Sequence, residues 1–301
     1  MRRVKLSLKE ITKKITIPGY GNLSLYEVSM FFYKGLVEGA ITTRASSLTF
    51  NFFLAFFPSI LVLFTLIPFV PIAGFQDELF TLMKEILPPS TFDATKVILD
   101  DIVNHEQAGL LSFTFILALY FSTNGVNAMI TGFNATYHLK DKRTWWQLRL
   151  LSINLTVILA LLLVLTIVFQ LFSVGFIDSL VNEGYMKQFS ADVILHIKEL
   201  ILVLVLFMGY SILFYFGPAD KKGWKFLSIG SITSTTLSVI SSLAFSYYVT
   251  NFAQYNKLYG SIGTLLVILL WMYFNSIILL LGFELNASII SAKEQQQSKL
   301  D

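Results

Sequence analysis

Only 14% of the 301 residues are charged while 55% are hydrophobic, and mean hydropathy is +0.68. Ordinary soluble domains carry roughly 25% charge, so a pair of such domains is excluded and one membrane bundle is expected. The absence of cysteine excludes disulfides, thiolate metal sites and cysteine nucleophiles, and the formal charge of +3 is spread unevenly along the chain.

Residues 1–20 carry Arg2, Arg3, Lys5, Lys9, Lys13 and Lys14 against one acid, Glu10, and Pro18-Gly19 breaks the segment. No continuous apolar core is followed by a small-residue cleavage site, so a cleaved signal peptide is not expected. The arm reads in two ways. It rests near anionic headgroups, where each basic residue contributes about 1 kcal/mol, or it is a solvated tail that only sets topology. From Leu25 to Ile41, the residues Leu25, Val28, Phe32, Leu36 and Gly39 recur at helical spacing among Glu27, Lys34 and Glu38. That pattern predicts a helix along the interface. Residues 1–44 thus form a basic cytosolic arm with an interfacial helix.

Six spans follow between 45 and 292. The first runs from about Ala45 to Pro71, with Arg44, Asn51 and Pro58 seven apart on one face. Proline at 58, 68 and 71 removes backbone donors and invites a kink. The second lies near Leu110 to Phe133 and contains Asn124 and Asn127; the third is Leu150 to Ile177. The fourth covers Ile201 to Phe216, preceded by His196, Lys198 and Glu199, and the fifth is Phe226 to Phe252. The sixth, Leu258 to Ala292, is uncharged from Ile262 to Gly282, and about 20 apolar residues suffice to cross a bilayer. Residues 72–109 form a long outer loop, where two apolar periodic runs split by Pro88-Pro89 predict short amphipathic helices as a cap. Residues 293–301 are a polar cytosolic tail.

Orientation follows from the basic residues. One set of segments, 1–44, 134–149, 217–225 and 291–301, holds 17 of the 22 Lys and Arg. The opposite loops, 72–109, 178–200 and 253–258, hold 5, alongside 11 acids. The positive-inside bias places both termini in the cytosol.

The sixth span has few polar exceptions. Asn275, Gly282 and Asn286 share one stripe, and Glu284 lies nearly opposite with Tyr273, Ile277 and Leu280. Polar groups on two faces imply that both meet protein or water. Glu284 is about 35 Å along the helix from Ser261, near the cytosolic boundary. Ionisable groups within spans are functional candidates. The competing reading is a structural pair with a cytosolic Lys or Arg, and Arg44 is geometrically available. The fifth span is rich in hydroxyls, with Ser231, Thr235, Ser238 and Ser242 on one stripe. These residues either let helices approach and share hydrogen bonds of roughly 0.6 kcal/mol each, or line a polar cavity wall.

Asn134 to Arg149 mixes four basic residues with two tryptophans. Interfacial anchoring is the favoured reading over nucleic-acid binding. His105, His138 and His196 are far apart and fall on different sides, so they make no metal-ligand set. No GxxxxGK[ST] sequence is present. No cofactor and no nucleic-acid partner are expected; the expected partners are membrane lipids and a lipid-like substrate, and oligomerisation is left open.

Three blocks resemble the YihY/BrkB family of bacterial inner-membrane proteins, long labelled ribonuclease BN-like. They are Ala45 to Pro58, Asn134 to Tyr137 with the basic segment after it, and Gly217-Pro218 through Trp224, Gly230, Tyr259-Gly260-Ser261 and Trp271-Met272-Tyr273 to Gly282-Phe283-Glu284-Leu285-Asn286. Phe283 stands where the family's closing motif has a small residue, and Asn51 where tyrosine is commoner. The resemblance implies six spans with cytosolic termini in the bacterial inner membrane, and a transporter or envelope factor. The expected function is a transporter or flippase for an amphiphilic or lipid-linked envelope molecule. The alternative is a non-catalytic scaffold. A ribonuclease is disfavoured because Glu10, Glu27, Glu38, Asp141, Asp220, Glu294 and Asp301 are scattered.

Overall fold

Apolar runs with few helix breakers fold as helices, and in a bilayer a helix satisfies its own backbone. A computed structural model describes residues 24–66, 108–136, 142–182, 188–220, 223–252 and 261–298. It contains seven helices among them: α1 (Leu25–Glu38), α2 (Ile41–Leu66), α3 (Ala108–Asn134), α4 (Trp145–Asn182), α5 (Gln188–Phe216), α6 (Ile229–Phe252) and α7 (Ser261–Gln297). The basic arm before residue 24, the outer-loop helices and the Tyr259-Gly260 motif lie outside the described residues.

Among the described residues, five stretches are long and apolar enough to cross a membrane: Phe113–Asn134, Trp145–Ile167, Glu199–Phe216, Ile229–Tyr248 and Leu265–Gln297. The chain is an all-helical, multi-pass membrane protein. Helix α2 follows the expected first span as far as Leu66 and is not among those five.

Helix α1 starts at Leu25 as expected, while several other helix ends differ from the expected spans, and capping explains two of those. Ser24 accepts from the Glu27 amide while the Glu27 carboxylate accepts from the Ser24 amide, which starts α1. At α4, the Thr144 amide donates to Gln147 Oε1 (2.9 Å) and the Gln147 amide to Thr144 Oγ1 (3.4 Å). The helix therefore begins at Trp145 rather than Leu150. At α6, the Ser231 amide donates to Ser228 Oγ (3.1 Å) and the Ser228 amide to Ser231 Oγ (3.2 Å), which delays the start to Ile229. Each reciprocal pair satisfies an amide that a helix start leaves without a partner. Helix α5 begins at Gln188, taking His196, Lys198 and Glu199 into the helix.

The chain divides into two compact units, with boundaries inside α2 after Thr49 and inside α3 before Val126. In the unit of residues 50–125, Pro58 sits inside α2. Its missing amide leaves the Leu54 carbonyl without its helical donor. Beside it, Ser59 Oγ donates to the Ala55 carbonyl (2.8 Å) and meets Ser122 Oγ at 3.5 Å. A Cβ at Gly125 would meet Phe52 at 3.1 Å, so α2 and α3 pack closely there.

The other unit is built around α7, which packs on α6 along one side and on α1 along another. Val28 of α1 is buried with Ile289 and Ala292 of α7, against Phe31, Ile229 and Leu285. The interfacial helix predicted at 25–41 is thus docked on the bundle by one face. Its opposite face leaves Met30, Tyr33 and Val37 exposed. Helix α4 exposes Leu150, Ile153, Val157, Leu161 and Val164, as a lipid-facing helix does.

Candidate functional site

Polar groups gather at one end of the α7-centred unit, where α3 and α5 end and α6 begins. Glu284 is wholly buried on α7 and Arg44, in the first turn of α2, is nearly so. Arg44 Nη2 donates to Glu284 Oε2 at 3.2 Å, and Nη1 donates to the Gly132 carbonyl at 2.9 Å. Thr136 Oγ1 donates to Glu284 Oε1 at 2.6 Å. The Arg44 Nε is buried with no partner among the described residues. Three segments distant in sequence therefore meet on one carboxylate.

Helix α1 walls this pair with two glycines. A Cβ at Gly35 would fall on Glu284 Oε1, and one at Gly39 would lie 2.6 Å from Arg44 Nη2. The Gly35–Gly39 spacing is the small-xxx-small pattern that permits close helix approach. The chain then turns sharply at Ala40, whose φ of 45° is unusual for a residue with a side chain. Arg44, four residues beyond that turn, faces Glu284.

The opposite face of α7 is neutral. The Gly230 amide donates to Asn286 Oδ1 (2.8 Å), and Asn286 Nδ2 donates to Ser228 Oγ (2.9 Å). A Cβ at Gly282 would meet the Gly230 carbonyl at 2.7 Å, so only a missing side chain allows this approach of α6 and α7. Ser234 Oγ donates to the Ile278 carbonyl at 3.1 Å. Both polar faces of α7 meet protein, as their positions on the helix imply.

The other predicted residues divide between the units. Asn134 joins helix ends: Nδ2 donates to the Ile130 and Gly217 carbonyls, and Oδ1 accepts from the Ala219 amide at 2.9 Å. Ser231, Thr235 and Ser238 are buried, and Ser242 is exposed. Ser238 pairs with the Tyr210 hydroxyl at 2.6 Å, and Thr235 Oγ1 returns its hydrogen to the Ser231 carbonyl at 2.8 Å. Asn275 is part-buried and donates to the Trp271 carbonyl one turn back. Asn51, Pro58 and Asn124 belong to the 50–125 unit, each half-buried. Phe283 stacks on Phe133 (4.1 Å between centroids) and on Trp224 (4.9 Å), which gives the large side chain in the closing motif a packing role.

Sequence reading missed Thr136, the Gly132 carbonyl, Ser228 and the glycine wall. The Gly35–Gly39 spacing was a usable signal. Nothing local distinguishes Thr136 from other threonines.

Lys225, Ser228 and Asn286 also line a pocket with Gly223, Trp224 and Ile290. Among the described residues, no three His, Asp or Glu side chains gather in a metal-holding group.

A family model described as "Virulence factor BrkB" matches residues 32–301. A protein named as ribonuclease-like, YfkH of Bacillus subtilis, is 28% identical over 84% of this chain and 91% of its own length. The UPF0761 membrane protein NTHI0384 of Haemophilus influenzae is 23% identical over 91% of this chain and 98% of its own. The UPF0761 membrane protein MS0032 of Mannheimia succiniciproducens is 22% identical over 85% and 87%. No solved structure matches the chain.

Proposed function

This chain belongs to the BrkB family, and from that premise we propose that it is a transporter or flippase for an amphiphilic, lipid-linked envelope molecule. In this reading it crosses the bacterial cytoplasmic membrane six times with both termini in the cytosol. The observation that carries the proposal is the buried Arg44–Glu284 pair with its Thr136 and Gly132 partners. Buried ion pairs are poor stabilisers, because desolvation offsets their attraction and packed apolar residues serve as well. Charges inside a membrane bundle instead mark pathways for polar groups. Arg44 and Glu284 sit where four helices converge, so a change in their pairing would move several helices together.

The first span in this topology is α2, which adds to the five apolar stretches; its 26 residues extend about 39 Å at helical rise, enough for the hydrocarbon core. The test of function is flux of a fluorescent lipid in proteoliposomes. Glu284→Gln and Arg44→Ala should lower flux severalfold while the protein still inserts, and a coupling role for Glu284 requires Glu284→Gln to abolish any pH dependence. Unchanged flux in both variants would remove the pair from the mechanism. Reporter fusions at each terminus test the topology; opposite sides would refute six spans.

A second reading, a non-catalytic envelope scaffold, draws on the hydroxyls of α6. Ser231, Ser234, Thr235 and Ser238 all hydrogen-bond within the helix packing, which is the use a filled bundle makes of them. The name of the Bacillus relative raises a third, RNA cleavage. Metal-dependent cleavage by rigorously purified protein, lost on substituting its cytosolic acids, would establish it against both other readings.

A further inference from the structure

Trp145 and Trp146 open α4 and are 64% and 75% exposed, although tryptophan at a helix start of a membrane protein has ample apolar surface to bury. Their rings lie edge to face, 4.5 Å apart, so they form one aromatic ledge. Lys142 beside them is also exposed, and Arg143 and Arg149 are half-buried. The Arg143 Nη2 donates to the Gly217 carbonyl at 3.0 Å. This bond ties the start of α4 to the segment after α5, where Lys225, Phe226 and Leu227 are exposed again. Beneath that segment Trp224 turns inward and stacks on Phe283, so the loop is anchored while its neighbours face outward. Among the described residues of 142–149 and 217–225, four are basic, Lys142, Arg143, Arg149 and Lys225, against one acid, Asp220.

We propose that these two linked segments form a docking surface for anionic phospholipid. The chemistry is divided by depth: Trp145, Trp146, Phe226 and Leu227 enter the acyl–headgroup boundary, and Lys142 and Lys225 meet the phosphate. Aromatic rings at the headgroup level are indifferent to lipid charge, whereas basic side chains near an anionic surface are not. The charge excess therefore selects anionic over zwitterionic lipid, which anchoring alone does not require. The occupant is a resident lipid of the leaflet, so the surface is independent of the Arg44–Glu284 pair and of any transported molecule.

The test is native mass spectrometry of the purified full chain titrated with phosphatidylglycerol or phosphatidylcholine. Wild-type protein should retain phosphatidylglycerol selectively. The Lys142→Gln/Lys225→Gln variant, which touches only exposed side chains, should weaken that retention by about fivefold per lysine removed. Trp145→Ala/Trp146→Ala should weaken both lipids alike. Equal retention of the two lipids by wild type would overturn the proposal, as would undiminished selectivity in the lysine variant. Single-stranded RNA displacing phosphatidylglycerol from the wild type but not from the lysine variant would assign the surface to nucleic acid and overturn it too.

Discussion

The two faces of α7 solve the same problem with opposite chemistry. On one face Glu284 meets a guanidinium, a hydroxyl and a wall of glycine. On the other, Asn286 and Gly282 meet a backbone amide, a serine and a second glycine. Both faces bury polar atoms and both use glycine to admit them. The difference is charge. The neutral face is satisfied by short hydrogen bonds between groups that cost little to desolvate, whereas the ionic face carries two charges that water would solvate better. A helix that needed only packing could use the neutral chemistry twice. The ionic face is therefore the place to look for function, and the neutral face is its internal control.

The largest effect should come from splitting the pair. Arg44→Ala or Glu284→Ala alone leaves a buried charge unpaired, and the expected loss is about 3–5 kcal/mol in unfolding or steric-trap measurements. Arg44→Met with Glu284→Leu should recover most of that loss yet remain inactive in lipid flux. Recovery of both stability and flux would reduce the ionic face to packing and dissolve the contrast with its neutral counterpart.

Next in size are the glycines, and here the neutral face should be the more sensitive. Gly282→Ala drives a methyl into the Gly230 carbonyl, which is backbone and cannot step aside, and overpacking of this kind costs about 1–3 kcal/mol. Gly35→Ala meets the carboxylate of Glu284, the movable end of a side chain. It should cost less stability but displace Glu284 from Arg44, so flux should fall further than the melting temperature suggests. Equal stability losses at Gly35 and Gly282 would mean that the Glu284 carboxylate is held as rigidly as backbone.

Asn286→Ala removes the acceptor of the Gly230 amide and should cost about 1–3 kcal/mol, the penalty for a buried donor left alone, with flux lowered only in proportion to folded protein. The smallest effect belongs to the hydroxyl stripe. Ser238→Ala breaks the bond to Tyr210 at roughly 0.6 kcal/mol, whereas exposed Ser242→Ala should change stability by less than about 0.5 kcal/mol. A larger flux defect at Ser242 than at Ser238 would revive a polar wall on the outer part of α6.

Much of this arrangement was legible along the chain. Hydropathy marks the spanning segments because a bilayer demands about twenty apolar residues with few exceptions, and the exceptions then stand out. Glu284 was visible for that reason, and Arg44 as the basic residue at the cytosolic end of the first span. Helical periodicity separated Glu284 from Asn286 on opposite faces of α7. Helix starts were less legible: Ser24 with Glu27 is a familiar pairing, but Ser228 with Ser231 is disguised among the eleven serines and threonines of 226–252.

Composition, apolar period and the placement of Lys and Arg were local facts, and from them alone follow the all-helical membrane class and the choice of Glu284 as a candidate with Arg44 as an available partner. Only the tertiary structure decided what those charges touch. Thr136 lies 148 residues from Glu284 along the chain, and the Gly132 carbonyl 88 from Arg44. Partners at such separations are chosen by how the helices pack, and a carbonyl or a lone threonine has no sequence signature that announces the choice. Gly35, Gly230 and Gly282 make the same point: their function is space, which exists only once a second helix is there to fill it.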